Sequence, residues 1–428
     1  MQFLSKILIT STTRQPHVLS RTATNLIAVF SGDMLSKFLG ALTTILLIRI
    51  LSMQDYGLYT YFLAIMQFIP SCIGIGLNTS CTRYGSEYIS RFNRAPTHLY
   101  GVNLQFQLLL YIIIVVFISI FSTSLSEHLI GSDRFSSAIL IGGFASIGPI
   151  ILQILSSIFQ SSSEFTKYIT LQNTRQAILL LATFILWLLY DLSFFTVSLT
   201  VLLLQLFLSI GLLMRLKSFF KFGEFTVRNL NTLLASGGLL SLYFSILSLL
   251  GQMDILIISR YRTTEELATY GVAFRYYSLF LTALSSIHVV LLPKLAKVEF
   301  SSHSIQLDFL RKWIKISSIF SIPILMLILL SNSILSTLNG NKYSGAVPLF
   351  KIFCIGLLIS LLFSPIINLI IARKDYKFLV VTALIVLIIN SFSNYYYVPK
   401  SGIMAACVIS VTSHAILNLC GFVRVLTS

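Results

Sequence analysis

Charged residues vanish from this chain for twenty or more positions at a time, and that absence constrains the fold more than any motif does. Of 428 residues, 10% are charged and 56% are hydrophobic, whereas an ordinary soluble domain carries about 25% charged residues. A helix in water needs a polar outward face, and these segments have nothing to build one from. A bilayer core about 30 Å thick takes about 20 apolar residues per helix. That measure marks twelve candidate spans, roughly 22–48, 57–82, 99–122, 136–160, 166–190, 194–214, 230–258, 267–292, 312–335, 345–371, 378–397 and 402–424. Runs such as Leu108 to Ile120 lack the alternation of a membrane β-strand. The expected fold class is an all-α polytopic membrane protein with about twelve transmembrane helices.

The charges that remain sit between the spans, and unevenly. Of a net charge of +16, the N-terminal tail, every second connection and Arg424 near the C-terminal end hold +14. The opposite connections hold six basic residues (Arg49, Arg134, Arg260, Arg262, Lys342, Lys400) and six acidic ones (Asp55, Glu127, Asp133, Asp191, Glu265, Glu266), which cancel. Positive residues resist translocation and mark cytoplasmic loops, so both termini are expected in the cytoplasm. Nucleic acid is not an expected partner, because its footprint is one continuous basic face and this charge is dispersed over short loops. The first 20 residues read as a cytoplasmic tail rather than a signal peptide, since Ile7 to Ile9 is too short an apolar core. The five cysteines (Cys72, Cys81, Cys354, Cys407, Cys420) lie in or beside apolar spans without a CxxC pair, as small packing residues do.

A weak repeat appears 211 residues apart. FLGALTTILLIRILSMQDYGLYTY aligns without gaps on LLGQMDILIISRYRTTEELATYGV, matching Gly40 with Gly251, Arg49 with Arg260, Asp55 with Glu266 and Tyr59 with Tyr270. Both copies read as a long helix, a polar turn with [ST]-x-x-[DE], and a new helix that the acid can cap. The offset is half the chain, so it predicts two six-helix halves related by a pseudo-two-fold axis along the membrane normal. The expected division is a tail 1–21, an N-terminal lobe 22–217, a linker 218–229 and a C-terminal lobe 230–428.

The segment from Ser31 to Arg49, then SMQDYGLYTYFLAI and GIGLNTSCTRYGSEY, resembles the opening of polysaccharide flippases. MDILIISRYRTTEELATYGVA, LPKLAKV, KYSGAVPLFKIFCIG, IARKDYKF and VPKSGIMAACVIS resemble their later helices, so the likeness runs from about Asn25 to Gly421. The family is the Wzx-type branch of the multidrug/oligosaccharidyl-lipid/polysaccharide exporter superfamily. The resemblance implies a bilobed transporter that moves undecaprenyl-pyrophosphate-linked oligosaccharide across a bacterial inner membrane, for O-antigen, capsule or exopolysaccharide synthesis. A polysaccharide polymerase and a chain-length regulator are the partners it implies besides membrane lipid.

Six ionisable residues lie inside predicted spans, where an unpaired charge is costly and marks a functional site by default. Asp33 and Lys37, four apart on one helix face, are read either as a mutually neutralising pair or as an ion-coupling acid beside a headgroup-binding base. Arg275, two turns into the eighth span, has three readings: a snorkelling or cation–π contact with Tyr276 or Tyr277, a bridge to Asp254, or a guanidinium facing a central cavity that grips phosphate. Asp254 is its candidate charge partner. Arg175 and Lys351 complete the expected substrate-binding set. Four bases against two acids suit an anionic headgroup. Pro70, Pro149, Pro323 and Pro365 are expected to kink their spans.

The sequence contains no Gly-rich phosphate loop, no HExxH and no nucleophile elbow, and its six histidines lack ligand spacing. No enzymatic activity and no resident cofactor is expected; the coupling ion would be a proton or sodium. Two other readings are a cation-coupled multidrug exporter, which favours acidic cavities, and a membrane glycosyltransferase or polymerase, which needs a longer outer loop than any here.

Overall fold

The computed structural model describes residues 16–220, 227–298 and 303–427. The predicted tail falls mostly outside them, as does 221–226 of the predicted linker. Twelve membrane-length segments follow in order, on the predicted positions. The first is Pro16–Ile50, and the second is Met53–Ile73 continuing as Ile75–Phe92. The third is Thr97–Leu125, the fourth Ser136–Ala145 with Ile147–Ser161, the fifth Phe165–Leu189 and the sixth Phe194–Arg215. The second half holds Val227–Tyr261, Thr264–Val298, His303–Asn339 and Ala346–Ala372, and the eleventh and twelfth share one run, Tyr376–Thr427. Among the described residues nine helices have the length and hydropathy of a span. Pro16–Ile50 and Thr264–Val298 add two of 35 residues each, and the last run counts twice.

That last run of 52 residues would extend about 78 Å if straight, far beyond a bilayer. It reverses at Gly402, whose φ of 70° is a conformation that side chains resist. Asn390 donates to the Ser413 hydroxyl at 3.0 Å, and Arg424 grips Asp375 through two nitrogens at 2.9 and 2.8 Å. Both contacts require two antiparallel helices. Arg262 closes the turn by donating to Val398 O at 3.0 and 2.8 Å and to Pro399 O at 3.0 Å. Carbonyls at a helix C-terminus lack intrahelical donors and attract a cation.

The polar turn of each repeat caps its next helix as the pattern predicts. Ser52 accepts from Asp55 N at 3.0 Å, and Thr263 accepts from Glu266 N at 3.2 Å. The Glu266 carboxylate returns the bond to Thr263 N at 3.3 Å, completing a capping box. Asp55 does more: its other oxygen accepts from Phe194 N at 3.0 Å and so seats the start of the sixth span. Pro70 lies just above the break in the second span at Gly74, and Pro149 in the first turn after the break in the fourth. A proline removes a backbone donor, so a helix is cheapest to interrupt there.

The main apolar core crosses both halves, running from Leu47 and Ile48 through Tyr56, Phe62 and Ile151 to Tyr270, Phe350 and Cys407. A second cluster ties the seventh span to the last three through Tyr243, Leu250, Leu369 and Ala383. Large apolar side chains point outward where lipid would lie, such as Ile112, Ile113 and Phe117 on the third span and Leu329 on the ninth. The halves meet along the second span, which packs against both the seventh and the eighth. A Cβ added to Gly57 would fall 2.1 Å from Thr264 O, and one on Gly271 would fall 2.4 Å from the Thr60 hydroxyl. Thr60 and Gly271 are repeat partners, 211 residues apart. Equivalent positions that touch each other must lie at the pseudo-two-fold axis. Farther in, Gln252 donates to Gln67 at 3.1 Å and Ser71 bonds Ser248, joining the second span to the seventh.

Candidate functional site

Arg275 sits one turn below Gly271 on the eighth span, half-buried beside that axis. The bridge to Asp254 is not formed, and neither is a cation–π contact with Tyr276 or Tyr277. Among the described residues the ion pairs are Lys37–Asp33, Arg91–Glu87, Lys167–Glu164 and Arg424–Asp375. The cation–π contacts there belong to Arg260, Lys342, Lys400 and Arg424. The physical reason is direction. Arg275 acts electrostatically on Tyr56 and Tyr59 across the seam, while Tyr276 is drawn the other way, donating to Asn339 at 2.6 Å.

Arg175 approaches the same place from the N-terminal half. It also acts on the Tyr59 hydroxyl, and its Nε is buried with no hydrogen-bond partner. One guanidinium group from each half thus lies within electrostatic reach of one tyrosine, and no carboxylate among the described residues pairs with either. Both arginines are half-buried, and a partly desolvated cation without an ion-pair partner is costly.

Asp33 and Lys37 are paired at 2.5 Å on the first span. They lie on the side of that helix that meets the fifth span, where Gly32 packs on Ile169 and Gly40 on Gln176. Lys351 is exposed on the tenth span, on the stripe that carries exposed Ile355 and Leu362. A lysine on an apolar outer stripe has the geometry of a snorkelling side chain.

Asp254 belongs to a different cluster, wholly inside the C-terminal half and 1% exposed. It accepts from the Tyr270 hydroxyl at 2.8 Å and from Asn394 Nδ2 at 2.8 Å. Asn394 also donates to Asn390 at 3.0 Å, and Asn390 to Ser413. The Asn394 amide oxygen is left buried without a donor. The N-terminal half has a neutral counterpart, in which Asn103 and Gln107 both donate to Asn78 at 3.0 and 2.9 Å. Sequence reasoning missed Asn390 and Asn394 because it looked for charges. Two amides four apart in an apolar span carry the same signal more weakly. It matched Tyr59 with Tyr270 but assigned neither a role.

Residues 46–348 match a family model described as polysaccharide biosynthesis protein. The chain belongs to that family. Among solved structures, this family member is similar to the lipid II flippase MurJ in an inward closed conformation, with 17% identity, a TM-score of 0.70, and coverage of 94% of this chain and 87% of that one. It is similar to an inward-facing multidrug resistance MATE family transporter of the MOP superfamily, with 13% identity, a TM-score of 0.69, and coverage of 94% and 97%. A MATE transporter from Vibrio cholerae gives 12% identity, a TM-score of 0.57, and coverage of 95% and 98%. Such identities establish the fold, which is that of the superfamily the sequence resembles. No curated protein matches the chain. The family member is a multi-pass membrane protein with a transporter fold, and the relatives are transporters or flippases.

Proposed function

We propose that this protein flips an undecaprenyl-pyrophosphate-linked oligosaccharide from the inner to the outer leaflet of a bacterial inner membrane, feeding surface polysaccharide assembly. The observation that carries the reading is the placement of Arg175 and Arg275, one from each half, within electrostatic reach of Tyr59, with neither in an ion pair among the described residues. A guanidinium presents planar paired donors that match phosphate oxygens. Bases on both halves would let each half keep a contact to one anion while the halves rock. The polyprenyl tail stays in lipid, against the apolar outer faces. A cation-coupled drug exporter shares the fold, but a half-buried Arg175 with no ion-pair partner among the described residues would repel a cationic drug. The protein is read as a carrier rather than an enzyme, and a polymerase and chain-length regulator are its expected downstream partners.

The coupling ion belongs in the C-terminal half. Asp254 is buried beside the orphaned Asn394 oxygen, and a proton or sodium ion taken there would satisfy both. Replacing Arg275 by Ala tests the headgroup reading. Lipid-linked repeat units should accumulate on the inner leaflet while the protein stays inserted at normal abundance. Wild-type surface glycan in that variant would refute the role of the eighth-span arginine.

A further inference from the structure

The repeated arginines do something the site above does not use. Arg49 ends the first span, and each of two nitrogens donates at 2.7 Å, Nε to Leu338 O and a terminal nitrogen to Thr337 O, on the last turn of the ninth span. Arg260 ends the seventh span and donates at 2.8 Å to His128 O, in the turn that closes the third. Each arginine therefore reaches out of its own half and caps a helix C-terminus of the other. Repeat register equates His128 with Asn339, the neighbour of Leu338. One contact is made twice about the pseudo-two-fold axis. Lys342 adds a third crossing, donating to Leu51 O. All lie at the end that the charge pattern assigns to the outer side, where basic residues are disfavoured unless they have work to do.

We propose that Arg49 and Arg260 form a reciprocal latch that holds the outer mouth shut while the substrate vestibule is open to the cytoplasm. The inference rests on the alternating-access reading above, and it identifies what must release for the outward state to form. The acceptors are backbone carbonyls at helix ends, with unfilled lone pairs and the negative end of the helix dipole. No side chain has to rearrange to make or break them. The latch depends only on the separation of the halves, so one rigid-body movement breaks both clamps together and restores both together.

The test uses Thr60→Cys, since Thr60 is 2% exposed in the closed seam, with Cys72, Cys354, Cys407 and Cys420 replaced by alanine and Cys81 kept. Cys81, 0% exposed inside the N-terminal half, reports on the fold. In intact cells a membrane-impermeant maleimide should label Thr60→Cys slowly. The combination of Arg49→Ala and Arg260→Ala should raise that rate on the order of tenfold, each single change less, with Cys81 unaffected. Unchanged labelling at Thr60→Cys would overturn the latch, as would an equal rise at Cys81. If the double variant does not insert, Arg49→Lys with Arg260→Lys keeps the charge and loses the planar fork; it too should label faster, and no change there overturns the proposal. Labelling needs no substrate, so this result stands or falls separately from the Arg275→Ala assay.

Discussion

Tyr59 and Tyr270 occupy the same register of the repeat and do opposite electrostatic work. Tyr59 lies in the field of two guanidinium groups, while Tyr270 donates to a carboxylate at 2.8 Å. The first half has Thr43 where the second has Asp254, and Ala64 where the second has Arg275. The two copies thus share one scaffold, and single differences between them place the charges that set the halves apart. The Asp254→Asn variant should fold but lose acceleration by an imposed proton or sodium gradient in transport measured on reconstituted vesicles. An undiminished gradient response would remove Asp254 from coupling. Asp254, Arg175 and Arg275 were legible as charges in apolar runs. Their partners were not, because hydrogen bonding between spans 16 or 140 residues apart leaves no local trace. The shared glycines show the same limit: Gly40 packs against Gln176, whereas Gly251 has nothing within 4 Å.

At the scale of elements, the sequence was most informative where backbone chemistry is local. The Ser52–Asp55 and Thr263–Glu266 caps follow from three-residue spacing alone. Breaks in the second and fourth spans follow from Pro70 and Pro149. The reversal at Gly402 was placed between two spans, but its clamp by Arg262, more than 130 residues away, could not be. An Arg262→Ala variant should lose on the order of 2 kcal/mol, as charge-assisted bonds to the part-buried Val398 carbonyl and the exposed Pro399 carbonyl are given up. In detergent its Tm should fall by roughly 2–8 °C. An unchanged Tm would mean that Pro399 and Gly402 fix the turn without help. The capping role of the outer basic residues escaped sequence reading because a helix C-terminus presents only backbone, which every residue shares.

For the whole molecule, an even number of spans and a one-sided basic balance require both termini on the same face. Reporter domains fused to either end should both report the cytoplasm, and opposite readings would unseat the twelve-span topology. Hydropathy and charge determined the helix count, because lipid imposes one rule on every residue of a span, and the 211-residue repeat determined the two-half architecture. They also marked which side chains cost too much to be idle. Only the tertiary structure decided which of those were neutralised locally, as Asp33 and Lys37 are, and which are left without an ion-pair partner among the described residues, as Arg175 and Arg275 are. Pairing depends on distance and direction between helices, and these are set by packing at contacts such as Gly57 on Thr264 and Gly271 on Thr60. One-dimensional spacing holds no record of that geometry.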